Sequence, residues 1–227
     1  MPRRLRRPSR PRHLRLLIPL AALWLGTILA PSAAAAGTYT QDLYFAGSYE
    51  HQVDSRTCTA ASTAMIENLI ARRDLNLPQV TILRYEQTRD ALNDATQRGS
   101  DPLGWARAAT YFSRYTPHPT AFAWEAYPTA LTALKRAATQ IAVTGRPVGL
   151  VVMHGQHAVV MTGFIATADP RLGAFTLQYI YVSDPNGYAH YRYAAGSTPL
   201  TTYLQTDATS TYDTAWYGDY VIVAPQG

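Results

Sequence analysis

His51-Gln52-Val53-Asp54-Ser55-Arg56-Thr57-Cys58-Thr59-Ala60-Ala61-Ser62 contains the one cysteine of a 227-residue chain. The residues that follow carry Ala61, Met65 and Leu69 at four-residue spacing, with Ile66 and Ile70 alongside. That spacing predicts a helix over Thr57 to Arg73. Asp54 and Ser55 are candidate capping residues before it, and Arg72 and Arg73 suit the negative end of its dipole. Cys58 then falls in the first turn, in the field of free backbone N–H groups that favours a thiolate, the nucleophilic form. Cysteine is also among the residues most often buried, so the thiol alone does not separate a nucleophile from a core filler.

The N-terminus bears on the compartment. Residues 1–15 carry seven arginines and no acid; the apolar run Leu16 to Ala30 follows, then Pro31-Ser32-Ala33-Ala34-Ala35-Ala36. A basic region, a short apolar run and a small-residue tail predict a secretory signal over residues 1–36, cut near Ala34 or Ala36. A membrane-spanning helix wants about 20 apolar residues, more than this run supplies, so no stable membrane insertion is expected after cleavage. Seven of the 20 Lys and Arg leave with the leader, so 13 remain against 15 acids and the exported chain carries about −2. Nothing basic is left to attract a nucleic acid. The remaining chain, 37–227, is one domain long, and without a second cysteine it must be held by packing.

Three further helices are predicted. Val80 to Asn93 is one; another opens at Asp101-Pro102 and runs through Phe112; the third spans Thr129 to Val143, with Ala130, Leu134, Ala137, Ala138 and Ile141 on one face and Gly145 after it. The pattern then becomes β-rich at Val148–Met153, His157–Ile165, Phe175–Ser183 and Tyr220–Ala224. Helices first and strands later predict an α+β domain with a largely antiparallel sheet.

A cysteine nucleophile needs a base and a group that holds the base. His157 opens an apolar strand and is the first choice for the base. Asp184 ends the next predicted strand, so pairing of the two strands would bring its carboxylate beside the imidazole to fix the tautomer. His154 is the competing base, on the opposite strand face if the chain stays extended. Asp169 and Asn186 compete with Asp184, which could itself be a turn residue in Asp-Pro-Asn-Gly. Gln52, six residues before Cys58, offers a side-chain amide that with the Cys58 N–H would receive a developing oxyanion. His154 and His157 lack a third ligand at fitting spacing, so no metal is expected, and no cofactor is needed. The tyrosines, including Tyr181, Tyr188, Tyr191, Tyr193, Tyr212, Tyr217 and Tyr220, read as half-buried strand surface, and Trp105, Trp124 and Trp216 as structural.

Four motifs occur in order: Gln52 with Cys58 and Ala60-Ala61-Ser62; Arg146-Pro147-Val148-Gly149-Leu150; Gly155-Gln156-His157 through Phe164; and Val182-Ser183-Asp184-Pro185. Together they resemble the papain-like cysteine peptidases. Within these they are most similar to the bacteriocin-leader-processing type, cysteine peptidase family thirty-nine, and its stand-alone secreted relatives, over about Gln52 to Val223. The resemblance implies a papain-like fold and a peptide or protein substrate. It assigns Cys58 as nucleophile, His157 as base, Asp184 as orienter and Gln52 as oxyanion donor. Relatives often carry glycine directly after the cysteine, whereas here it is Thr59, whose branched side chain would narrow access to the thiol. No transporter segment follows, so leader cleavage during export is not implied. A cell-wall amidase or acyltransferase with the same residues, and a non-catalytic peptide- or glycan-binding module, are the other expectations.

Overall fold

Among the described residues seven strands form one sheet in which every pairing is antiparallel, in the order β2-β7-β3-β4-β5-β6, with β1 beside β4. The computed structural model describes residues 38–91, 99–204, 216 and 218–227. The leader expected over residues 1–36 lies outside them, as do Tyr212 and Tyr217. The strands are β1 (Tyr39–Asp42), β2 (Ala121–Tyr127), β3 (Val148–Val152), β4 (His157–Ala166), β5 (Leu177–Asp184), β6 (Tyr188–Ala194) and β7 (Tyr220–Gln226). The helices are α1 (Cys58–Ala71), α2 (Gln79–Gln87), α3 (Pro102–Phe112), α4 (Ala130–Thr144) and α5 (Thr198–Leu204). The chain is α+β, and among the described residues no helix is long and apolar enough to cross a membrane.

Alternate side chains of the central strands go to opposite faces. Val151, Ala158, Val160, Val221 and Val223 pack against Met65, Ile66 and Leu69 of α1 and Trp105 and Ala109 of α3. Leu150, Val152, Val159, Met161 and Ile222 pack on the other face, against Leu134, Ala137, Ala138 and Ile141 of α4. Both faces are covered, so β3 and most of β4 are buried without a break, and this is why they read as continuous apolar runs rather than alternating ones. A third cluster joins α1 to α2 and α3 through Ala60, Ala64, Ile82, Leu83, Ala108 and Phe112. Trp105 and Trp216 are buried, and Trp124 meets Trp216 edge-on.

Several boundaries differ from expectation. Asp101 caps α3, its carboxylate accepting from the Gly104 N–H at 2.7 Å, and Thr129 caps α4. Neither Asp54 nor Ser55 caps α1: the N-cap is Thr57, and its hydroxyl donates to the Asp54 carbonyl at 3.0 Å rather than to the helix. The second helix stops at Gln87 instead of Asn93: Thr88 is its C-cap, its N–H still bonded to the Arg84 carbonyl, and the chain leaves in a turn. The helical first part also contains two strands. β2 is an outer strand held by β7 alone, and β1 lies along the far end of β4, so neither carries a buried apolar run that would announce it.

Candidate active site

Three residues from three elements converge at one end of the sheet. Cys58 opens α1 and is 8% exposed. His157 opens β4, and Asp184 closes β5. The β4–β5 register pairs Val160 with Ser183, so the next residue of β5 comes alongside the start of β4. The imidazole Nε2–H donates to Asp184 Oδ1 at 2.7 Å. That leaves Nδ1 free for another partner, and Cys58 lies close enough to the same ring to raise its affinity for a proton. The side chains of His157 and Asp184 are 9% and 17% exposed, so the pair is shielded but not sealed.

The charge balance favours a protonated imidazole. Burial pulls the His157 pKa down, but the hydrogen bond that the ring donates to Asp184, the neighbouring Cys58 and the negative charge that each can carry outweigh it, lifting the value to about 9. On the other side of the thiol, the first turn of α1 has no acidic residue and no side-chain cap. Its free N–H groups therefore present an uncompensated positive end to Cys58.

The competing residues are placed elsewhere. Met153, His154 and Gly155 have φ of 52°, 58° and 83°, a left-handed run that reverses the chain between β3 and β4 and carries His154 out into solvent. The extended geometry that would have put it on the opposite strand face is absent. Asp169 lies in the β4–β5 loop, where its carboxylate takes two bonds from the Arg171 Nε and one of 2.6 Å from Nη2. Asn186 contributes its backbone rather than its amide: its N–H donates to Asp184 Oδ1 at 2.8 Å, holding the carboxylate that holds His157. Among the described residues no group of three metal-binding side chains occurs.

Gln52 sits in the loop before α1. Its Nε2 donates to the Asp54 carbonyl at 3.1 Å, which occupies one of two N–H groups, and its Oε1 is buried without a partner. The loop is fastened to the Asp184 turn from three directions. Gln52 N–H donates to the Pro185 carbonyl at 2.9 Å, the Tyr49 hydroxyl donates to the Asp184 carbonyl at 3.2 Å, and Gly187 N–H donates to the Tyr49 hydroxyl at 3.1 Å. From α2, the Gln79 amide brackets the same loop, accepting from Val53 N–H at 3.0 Å and donating to the His51 carbonyl at 2.8 Å. Tyr49 and Gln79 were missed in the sequence, since a lone tyrosine in a loop and a glutamine at a helix start carry no periodic or motif signal.

Thr59 does not crowd the thiol. Its side chain turns back into the α1–α2 interface, where the hydroxyl donates to Glu86 Oε2 at 2.6 Å. The arrangement can hold a thiolate–imidazolium pair at a helix terminus, orient the imidazole through a carboxylate, and offer an amide N–H beside the thiol loop. No protein-family model matches the chain, and no curated protein matches it.

Proposed function

We propose that the protein is a secreted cysteine peptidase of papain-like fold. The observation that carries this reading is the imidazole of His157, bonded at 2.7 Å to Asp184 and close enough to Cys58, in the first turn of α1, for the thiol to act on its proton affinity. The arginine-rich leader with its apolar run supports export.

In the first half of the reaction the Cys58 sulfur attacks a peptide carbonyl carbon, and the carbonyl oxygen becomes an oxyanion facing the Cys58 N–H and the Gln52 amide. The C–N bond breaks as the His157 imidazolium gives its proton to the leaving amine. In the second half His157 takes a proton from water, the hydroxide attacks the thioester, the C–S bond breaks and the acid departs with the thiolate restored. Asp184 keeps the ring turned toward Cys58 throughout. The protein incubated with a diverse peptide library should yield cleavage products that vanish in Cys58→Ala; identical products from both would overturn the reading.

A second reading keeps these residues and changes the substrate to a cell-wall stem peptide. Tyr188 pairs in register with Asp184, and Tyr188 and Tyr191 are 52% and 42% exposed with rings 4.8 Å apart, a surface suited to stacking on sugar rings. Release of soluble muropeptides from purified walls by the wild type but not by Cys58→Ala would favour it over general proteolysis.

A further inference from the structure

Glu86 lies wholly inside the protein on α2, directly behind the turn that carries Cys58. It accepts from the Thr59 hydroxyl at 2.6 Å and from the Thr63 hydroxyl at 3.2 Å. Thr59 and Thr63 are one turn apart on the same face of α1, so the carboxyl spans the first two turns of the helix. Thr59 is the residue that follows the nucleophile, and both hydroxyls are buried on Glu86. We propose that Glu86 is a positioning residue for Cys58, clamping the thiol-bearing turn against α2 through Thr59 and Thr63. The proposal rests on the reading of Cys58 as a nucleophile.

The clamp works in a specific charge state. Among the described residues the charges that act on Glu86 are acidic: Asp90 just beyond α2 and Asp101 at the cap of α3. Glu67 continues the Thr59–Thr63 row on α1 and is itself buried with its pKa pushed well up by burial. Among the described residues no Lys or Arg is paired with Glu86. Burial is the main cause that lifts its pKa to about 8, helped by the charges of Asp90 and Asp101 and opposed by the two threonine bonds. At neutral pH the carboxyl is therefore uncharged. That state matters for the thiol, because an anion behind the first turn would cancel part of the positive helix end that favours thiolate. A neutral acid supplies the hydrogen bonds of a clamp without that penalty. As pH rises through about 8 the carboxyl ionises, and the site loses part of its activation one step before His157 gives up its proton at about 9.

The experiment is the rate of Cys58 alkylation by iodoacetamide from pH 5 to 10, read by mass spectrometry, which requires no substrate. It compares wild type, Glu86→Gln, Glu86→Ala, the Thr59→Val/Thr63→Val pair and His157→Ala, with a melting curve for each. Wild type should exceed His157→Ala at neutral pH, and both Glu86→Ala and the valine pair should lower that excess by about tenfold, the scale of one hydrogen bond to a charged or strongly polar group. Glu86→Gln should keep the excess, and its alkaline decline should follow His157 alone instead of starting near pH 8. The valine pair preserves side-chain shape, so it reads the clamp even if Glu86→Ala does not fold. If the folded variants and the wild type give superimposable pH profiles and differ only in melting temperature, Glu86 is a structural residue and the proposal fails while the nucleophile reading stands. If the wild type itself matches His157→Ala, Cys58 is not activated and both fail.

Discussion

Ser62, one turn into the helix that Cys58 opens, donates its hydroxyl hydrogen bond at 3.1 Å to the carbonyl of Ala158, the residue after His157. The bond is buried and ties the two halves of the thiol–imidazole pair through 96 residues of sequence separation. The apolar side chains of the two elements also pack together, but such contacts slide more easily than a directed bond.

Ser62→Ala therefore tests the tie. It should cost about 1 kcal/mol of stability, with the Ala158 carbonyl left unmet on that side. It should also slow Cys58 alkylation at neutral pH while leaving alkylation in a His157→Ala background unchanged. An equal effect in both backgrounds would mean that the bond supports the fold but not the pair.

Asp184 does two separable things for His157: it orients the ring and it raises the ring's affinity for a proton. Asp184→Asn keeps an oxygen for Nε2–H and removes the charge, whereas Asp184→Ala removes both. The alanine variant should lose about 10²–10⁴-fold in kcat/KM, and the asparagine variant less, because it still positions the ring. In the asparagine variant the alkaline limb of the pH profile should move down from about 9, because a negative partner no longer holds the imidazolium. A limb that stays in place would show that Asp184 does not set the charge of the ring.

The cores of the four long helices and the central strands were legible because their spacing follows directly from burial. The four residues singled out around Cys58 were legible by residue type and order, and three of them meet in space. What the sequence withheld is tertiary. β1 and β2 are short outer strands without a continuous apolar run, and they are strands because β4 and β7 offer them backbone partners. β6 is exposed along most of its length, and its tyrosines show neither a clean alternation nor a second apolar face. Glu86 sits in an ordinary amphipathic helix, and nothing local distinguishes it from a solvated glutamate. Its depth becomes visible only when α1 and α3 close over it.

Gly149 is a further residue whose role depends on packing. A Cβ there would collide with the indole of Trp105, which is fully buried between α3 and the sheet. Gly149→Ala should cost about 1–3 kcal/mol, as overpacking does in a filled core. For a domain of this size that is a melting-temperature drop of about 2–4 °C per kcal/mol. No change in melting temperature would mean that the indole moves aside freely.

Stability should fall as pH rises from neutrality toward 9. Glu86 has a folded pKa of about 8 against 4.5 in its ordinary state, and His157 about 9 against 6.5. In both cases the folded chain holds its proton more tightly, so between the two values it binds more protons than the unfolded chain and loses stability with each step up in pH. The Glu86 contribution is lost between about 4.5 and 8, and the His157 contribution between about 6.5 and 9. Urea midpoints at pH 5.5, 7 and 9 should decline in that order. Glu86→Gln should make the decline over the first interval shallower, with Glu67 still contributing there, and leave the His157 part of the decline up to about 9. Midpoints that rise with pH would contradict the placement of both groups.

Gln52 separates transition-state stabilisation from nucleophile activation. Its amide is held beside the Asp184 turn by backbone bonds from its own loop, and one N–H is already committed to the Asp54 carbonyl. On the proposed mechanism the other N–H would act only when an oxyanion develops. Gln52→Ala should therefore lower kcat by about 10²–10³-fold, the effect of removing one oxyanion donor, with KM little changed. Alkylation of Cys58 passes through no oxyanion, so its rate and pH dependence should match the wild type. If alkylation falls together with kcat, Gln52 acts by holding the loop in front of α1, and the oxyanion must be met by backbone N–H groups alone.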